Sequence, residues 1–152
     1  WIADVDFGTG RVSIVDDYGH LPTEIAATVE AVRQGWPGRR VVLVFQPHRY
    51  SRTRDLFDDF AAVLSSADAV VLTEVYAAGE APVVGADAKS LARAIRARGR
   101  IDPGVVNSAN DLPSLLSDVL KDGDLLLVMG AGDIGHVASV IATHGFTGAG
   151  KS

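Results

Sequence analysis

Residues 41–53 read VVLVFQPHRYSRT, and their pattern indicates the architecture of the whole chain. The first part, Val41–Phe45, is a continuous β-branched and aromatic run, typical of a strand that is buried on both faces. Residues 46–53 are polar and predict a loop. The segment after them predicts a helix, because Phe57, Phe60 and Leu64 fall on one helical stripe. A strand, a polar loop and an amphipathic helix predict one βα unit of a parallel sheet.

The same alternation continues on both sides of this unit. Further strands are predicted at residues 1–7, 12–15, 69–72, around 105–106 and at 125–129, and further helices at 22–34, 88–98, 112–120 and 134–142. Residues 146–152 are mostly small and polar, and they predict a loose tail. Strands separated by helix-length segments predict a single α/β domain whose sheet is mainly parallel and has helices on both faces.

Composition excludes several classes of function. The chain has 152 residues, of which 47% are apolar and 22% charged, as expected of one soluble globular domain. A net charge of −5 argues against nucleic-acid or anionic-membrane binding. Without cysteine there is no disulfide, thiolate nucleophile or cysteine-based metal site. No run is long and apolar enough to span a bilayer, so we expect a cytoplasmic location.

Polar clusters follow four of the predicted strands, at the edge where parallel sheets bind ligands. They lie at residues 16–20, 47–52, 74–80 and 130–135. In the second cluster, Arg49 and Arg52 are three residues apart and precede the predicted helix, so both guanidinium groups can converge on one anion. Alternatively, both arginines are solvated or pair with Asp55 or Asp58 across a helical turn.

The first cluster also has two interpretations. Asp16 and Asp17 offer carboxylates for ribose hydroxyls, and Tyr18 offers a ring that can stack on a base. Alternatively, the segment is an aspartate-rich turn followed by a helix cap. His20 and the other three histidines share no metal-ligand spacing, so no metal site is predicted.

Three further motifs carry less chemistry. Tyr76 and Glu80 lie in a long connection that is either a substrate lid or a plain surface loop. Residues 130–135 match G-x-G-x-x-G, but no βα unit follows, so a tight turn with close helix packing is the better interpretation. Residues 145–152 match the Walker A pattern, yet a predicted helix rather than a strand precedes them, which indicates a chance match.

Together the clusters resemble a known family. Residues 15–24 (VDDYGHLPTE), 44–53 (VFQPHRYSRT), 73–80 (TEVYAAGE) and 130–135 (GAGDIG) are similar, in order, to four motifs of UDP-N-acetylmuramate–L-alanine ligases. The related ligase that attaches whole peptides to the same sugar nucleotide shares parts of these motifs. Leu21 stands where the family usually has a second histidine, which leaves a polar role at that position in doubt.

The resemblance implies an ATP-dependent step of peptidoglycan synthesis. Such ligases have a UDP-sugar domain, a central P-loop ATPase domain and a Rossmann-like C-terminal domain, and this chain corresponds to the third alone. ATP and Mg²⁺ serve the full-length enzyme, whose substrates include L-alanine and UDP-N-acetylmuramate. We therefore expect the isolated chain to bind no cofactor firmly and to be inactive. The alternatives are a stand-alone nucleotide- or anion-binding module and a structural domain with idle motif residues.

The resemblance also implies residue roles in nucleotide binding. Tyr18 and His20 are expected to lie against the adenosine, with Asp17 near its ribose.

A second set of roles concerns the reacting groups. His48, Arg49 and Arg52 are expected to be catalytic and to face the alanine carboxylate and the transferred phosphate. Arg49 and Arg52 are expected to bind the substrate together with Tyr76 and Glu80.

Overall fold

The computed structural model describes residues 2–7 and 10–149, which form one six-stranded sheet with helices around it. The strands are β1 (Ile2–Asp6), β2 (Arg11–Asp17), β3 (Val41–Phe45), β4 (Ala69–Thr73), β5 (Gly104–Val106) and β6 (Leu125–Met129). Their spatial order is β1-β2-β6-β3-β4-β5. Strand β1 pairs antiparallel with β2, and all other neighbouring strands of this sheet are parallel. The predicted, mainly parallel sheet is confirmed.

Helices cover both faces of the sheet, as predicted. They are α1 (Pro22–Gly35), α2 (Tyr50–Asp55), α3 (Phe57–Leu64), α4 (Ala88–Ala97), α5 (Leu112–Val119) and α6 (Ile134–Ala149), with a turn of 3-10 helix at Ala109–Asp111. Buried side chains of α1, α3 and α4 form one core with the sheet, and those of α5 and α6 form the other. No helix of the described residues is long and apolar enough to cross a membrane.

Strand β3 shows why a continuous apolar run predicts a central strand. Successive side chains of a strand point to opposite faces. Leu43 and Phe45 accordingly enter the core beneath α1, α3 and α4, whereas Val42 and Val44 enter the core beneath α5 and α6. All four are fully buried, at 0% exposure. Each such side chain contributes about 1.5–3 kcal/mol relative to an exposed one, so every position along β3 favours an apolar residue.

The region after β3 differs from its prediction. Residues 50–53 were expected in a loop, but they lie in α2, and the predicted single helix begins only at Phe57 as α3. Leu56 separates the two helices, since its backbone φ of −115° and ψ of 22° are not helical. The apolar stripe that marks α3 does not extend into the polar residues of α2. Arg52 therefore lies within a helix instead of preceding one.

The end of the chain also differs from its prediction. Helix α6 was expected to end near residue 142 and to be followed by a loose tail, but it continues to Ala149 with a kink at Gly145. Phe146 is buried, and its ring packs edge-on against Phe7 at 6.2 Å between centroids. The tail prediction is therefore wrong for residues 146–149, which lie in α6, and a contact with a residue far away in sequence holds Phe146. Residues 150–152 lie outside the described residues.

Candidate functional site

The four polar clusters meet at one edge of the sheet, as predicted. Asp17 at the end of β2 and Phe45 at the end of β3 both lie level with Met129 at the end of β6, and β4 follows beside β3. Helix α1 leaves β2 towards one face, whereas α6 leaves β6 towards the other. Such a switch point is where open α/β sheets form a ligand-binding crevice.

The loops after β3 and β4 are joined by their backbones. The N–H of Arg49 donates to the carbonyl of Tyr76, and the N–H of Tyr76 donates to the carbonyl of Pro47, both at 2.8 Å. His48 and Tyr76 form a parallel β-bridge, and their rings stack with centroids 5.5 Å apart at 11°. The loop containing Tyr76, predicted as a lid or a plain surface loop, is thus attached to the loop that carries the arginines.

Arg49 and Arg52 lie on either side of the start of α2. Arg49 is exposed and has a backbone φ of 72°, whereas Arg52 is half-buried. Among the described residues, neither has a carboxylate within ion-pair distance, and it is Arg54 that pairs with Asp55, at 3.0 Å. The structure therefore does not support pairing of Arg49 or Arg52 with Asp55 or Asp58. Both guanidinium groups are available to an anionic ligand.

Arg52 forms a side-chain hydrogen bond with His48. The Nη1 of Arg52 lies 3.1 Å from the Nδ1 of His48. Because a guanidinium can only donate, Nδ1 must accept, and the neutral imidazole then carries its proton on Nε2. Burial lowers the pKa of His48, and the charges of Arg52, His20 and Arg49 lower it further, against an opposing effect of Glu80. His48 is thereby kept uncharged at neutral pH.

Glu80 contacts the start of α2 from the neighbouring loop. Its carboxylate accepts a hydrogen bond from the backbone N–H of Ser51 at 3.1 Å and another from the Ser51 hydroxyl. The hydroxyl first and the N–H second lower the pKa of Glu80, because both favour the ionised form. Glu80 is therefore an anion that is already engaged within the protein.

The cluster after β2 has features of both predicted alternatives, a ligand-binding surface and an aspartate-rich turn followed by a helix cap. Tyr18 is 72% exposed, which leaves its ring free to stack on a ligand. Asp17 accepts hydrogen bonds from the N–H of Gly19 at 2.7 Å and from the hydroxyl of Thr28 at 3.1 Å, so it also forms the predicted turn. The carboxylate of Glu24 accepts hydrogen bonds from the backbone N–H groups of His20 and Leu21 and so caps α1.

His20 connects this cluster to the arginine loop. Its ring lies 5.7 Å from that of His48, between centroids. Its Nδ1 is buried without a hydrogen-bond partner among the described residues and lies 3.8 Å from a carboxylate oxygen of Glu24. His20, His48 and Tyr76 thus form a continuous row of rings across the ends of three strands.

Gln46 has a structural role that the sequence reasoning missed. Its side-chain oxygen accepts from the N–H of Ile134 at 3.2 Å and so caps α6, while its nitrogen donates to Asp133 at 2.6 Å. A Cβ on Gly132 would lie 2.5 Å from the Gln46 oxygen and 2.7 Å from the Tyr76 ring. The G-x-G-x-x-G motif is therefore a close-packed turn, as predicted. The one available signal was a glutamine directly after a buried strand.

The site has no arrangement suited to a metal ion within the part of the chain that the structure describes. No group of three or more histidines, aspartates and glutamates there is placed to hold one. The site is instead a basic and aromatic surface formed by four loops.

Known proteins resemble this chain closely in sequence. Residues 5–132 match the family of Mur ligase, glutamate ligase domains. The chain is 66% identical over 139 residues to a UDP-N-acetylmuramate–L-alanine ligase of Xanthomonas campestris, covering 91% of this chain and 29% of that protein. Against the same ligase of Stenotrophomonas maltophilia, the identity is 64% over 142 residues, covering 93% and 30%. The chain therefore spans about three-tenths of the length of these relatives.

Solved structures share its fold. The UDP-N-acetylmuramate–alanine ligase of Thermotoga maritima matches with a TM-score of 0.69 and 28% identity, covering 91% of this chain and 27% of that one. A murein peptide ligase of Psychrobacter arcticus matches with a TM-score of 0.64 over 99% of this chain and 30% of that one. At 17% identity, this second likeness is one of fold alone. Since the family match spans most of its length, the chain belongs to the family of Mur ligase, glutamate ligase domains.

Proposed function

We propose that this chain is the C-terminal domain of a cytoplasmic, ATP-dependent ligase that joins L-alanine to UDP-N-acetylmuramate in peptidoglycan synthesis. Relatives with that name are 62–66% identical over 91–97% of the chain, which supports the proposal. The observation that carries it is the pair Arg49 and Arg52. They lie where four loops meet, and neither pairs with a carboxylate of the described residues.

In the proposed reaction, ATP transfers its γ-phosphoryl group to the carboxylate of UDP-N-acetylmuramate, and ADP leaves. The amino group of L-alanine then attacks the acyl phosphate, and the tetrahedral intermediate collapses to the amide and phosphate. Guanidinium groups suit both anions of this step, because they bind carboxylate and phosphate through two parallel hydrogen bonds. Arg49 and Arg52 would hold the alanine carboxylate and the transferred phosphate, with His48 and Tyr76 beside them.

The nucleotide would lie against the cluster after β2. The exposed ring of Tyr18 can stack on adenine, with His20 behind it. Asp17 would reach the ribose through lone pairs that its two internal hydrogen bonds leave free. The phosphates of ATP and the Mg²⁺ ion are assigned to a P-loop in another domain of the ligase. We therefore propose that this domain alone neither binds ATP firmly nor turns over.

A domain exchange tests this function. The matching 139-residue part of the Xanthomonas campestris ligase is replaced with this chain. Phosphate release from ATP is then measured with UDP-N-acetylmuramate and L-alanine. The chimera should be active and the isolated chain inactive. Arg49→Lys should lower kcat/KM for alanine at least about ten-fold, since one charge-assisted hydrogen bond is worth about 1.5–3 kcal/mol.

Arg54→Lys is the matched control, because Arg54 lies on α2, the helix that Arg49 precedes, but pairs with Asp55. It should leave kcat/KM nearly unchanged. An active chimera that tolerates Arg49→Lys as well as Arg54→Lys would contradict the proposed role of Arg49. Use of a peptide in place of L-alanine would favour the related murein peptide ligase, and firm ATP binding by the chain alone would favour a stand-alone module.

A further inference from the structure

Glu80 contacts α2 across a gap of 29 positions in the sequence. We infer that Glu80 is a positioning residue: its carboxylate caps α2 from the neighbouring loop and so determines where Arg49 and Arg52 are held. The inference rests on the proposed function only in treating these two arginines as the anion-binding groups.

Helix α2 begins without a cap of its own. The residue at its N-cap is Arg49, whose side chain makes no capping hydrogen bond and whose backbone lies in the left-handed region. The first N–H groups of a helix have no partner inside the helix and need an external acceptor. A helix of six residues is also too short to be stable by itself. The start of α2 therefore depends on a group outside it.

Glu80 supplies the missing acceptor. Its two carboxylate oxygens bind the N–H and the hydroxyl of Ser51, the second residue of α2. A tight turn aims the carboxylate, because the N–H of Glu80 bonds to the carbonyl of Ala77 at 3.0 Å. Ala78 and Gly79 between them both have positive φ, at 51° and 88°, as in a type I′ turn.

The loop that contains Glu80 also binds the backbone of Arg49. The carbonyl of Tyr76 accepts from the Arg49 N–H at 2.8 Å, four residues before Glu80. Arg49 is thus fixed between two anchors of one loop, and Arg52 follows within the first turn of α2. Both oxygens of Glu80 bind Ser51, so the carboxylate is directed at the start of α2.

Loss of the Glu80 charge and loss of its capping contact should have opposite effects on anion binding, so the two can be told apart. Removal of the Glu80 carboxylate takes a negative charge away from Arg49 and so favours any anion. Ser51→Ala leaves the charge unchanged and removes only the hydroxyl that binds Glu80. Ser51→Ala is therefore the deciding variant. Ser66→Ala is its matched control, because it removes a serine hydroxyl that donates one hydrogen bond, to the carbonyl of Val63, at the opposite edge of the sheet.

The experiment uses the chain itself with inorganic phosphate as the probe, followed by NMR. The ¹⁵N shifts of His48 report whether Arg52 still donates to its Nδ1. In Ser51→Ala we expect the His48 shifts to show a weaker hydrogen bond from Arg52. The N–H groups of α2 should exchange with solvent about five-fold faster, and phosphate should bind about five-fold more weakly. A five-fold change corresponds to the free energy of about one hydrogen bond. Glu80→Ala should lose the His48 signature further, whereas Glu80→Gln should retain part of it through its remaining acceptor.

The inference is overturned if Ser51→Ala matches Ser66→Ala in His48 shifts and in α2 exchange. It is equally overturned if phosphate affinity responds only to the charge of Glu80. Should the wild type bind no phosphate, the anion site of the proposed function fails, while the His48 signature and the exchange rates still decide the role of Glu80. Signals of β3 report that each variant remains folded.

Discussion

His48 is subject at once to stacking, to a hydrogen bond and to the charges of its neighbours. Its ring lies parallel to that of Tyr76, and Arg52 donates to its Nδ1. Burial, followed by the charges of Arg52, His20 and Arg49, lowers its pKa. A neutral imidazole can accept from Arg52, whereas a protonated one cannot. The environment of His48 thus preserves the protonation state that keeps Arg52 in place.

An NMR titration of the His48 ring checks this state. We expect its pKa to lie below the ordinary value of 6.5. Arg52→Gln should raise the pKa without restoring it fully, because burial is the largest cause of the shift and remains. Arg54→Gln serves as the control and should leave the pKa unchanged. A wild-type pKa of 6.5 or higher would contradict the expected lowering by burial and by the neighbouring charges.

The same shift affects stability at mildly acidic pH. The unfolded chain takes up a proton on His48 near the ordinary pKa, whereas the folded chain takes it up only at lower pH. Protonation therefore favours unfolding in this window, and the free energy of unfolding should fall as the pH drops below about 6.5. In His48→Asn this part of the fall should be absent. Urea unfolding of both proteins between pH 7 and 5 measures the difference.

At the level of helices and strands, two loops at the carboxyl ends of the strands each cap a helix that follows a different strand. Gln46, after β3, caps α6, and Glu80, after β4, caps α2. These contacts lock the loops after β6, β3 and β4 into one unit. Gly132 is the tightest point of this unit, because its missing side chain leaves the space that Gln46 and Tyr76 occupy.

Gly132→Ala tests the packing of these loops. A Cβ there would lie within 2.5 Å of the Gln46 oxygen and 2.7 Å of the Tyr76 ring, so both must move. We expect a loss of about 1–3 kcal/mol in the free energy of unfolding, together with shifted amide signals at Ile134. Gly35→Ala is the control, since a Cβ added at Gly35 would meet no atom within 4 Å. Equal stability of the two variants would rule out a tight fit at Gly132.

In the whole molecule, the last strand of the sheet lies between two early ones. At the start of β6, the buried carboxylate of Asp124 accepts from Arg40, which precedes β3, at 3.0 and 3.2 Å. Arg39 donates to the carbonyl of Asp124 at 2.7 Å and to the hydroxyl of Ser13 in β2 at 2.9 Å. The two arginines thus connect β6 to both of its neighbours at the edge opposite the site.

Asp124→Ala should therefore destabilise the entire sheet. It removes one partner of a mostly buried ion pair and leaves Arg40 unpaired. Because Arg40 is partly exposed, we expect a loss of about 2–3 kcal/mol, below the roughly 3–5 kcal/mol of a fully buried pair. Asp102→Ala breaks an exposed pair with Arg96 and should have little effect. Thermal unfolding measures both, and similar midpoints for the two variants would contradict this role of Asp124.

The sequence by itself determined the type and order of the main elements and the edge at which the site lies. Buried strands such as Val41–Phe45 appear as continuous apolar runs, because each face of the strand meets a core. The position of the polar clusters followed from a general property of parallel sheets, whose strand ends share one edge. Arg49 and Arg52 were proposed as an anion site from their residue type and spacing, which are local features of the sequence.

The tertiary structure alone decided which groups hold these arginines. Helix α2 is polar and short, and its cap is Glu80, 29 positions away, so no local pattern predicts it. Burial of Phe146 against Phe7 likewise joins the two ends of the described chain. Gln46 became the cap of α6 only because β6 lies beside β3. The spacing of apolar residues in the sequence shows which side of each segment packs against a core. Contacts between loops depend instead on the order of the strands in the folded sheet.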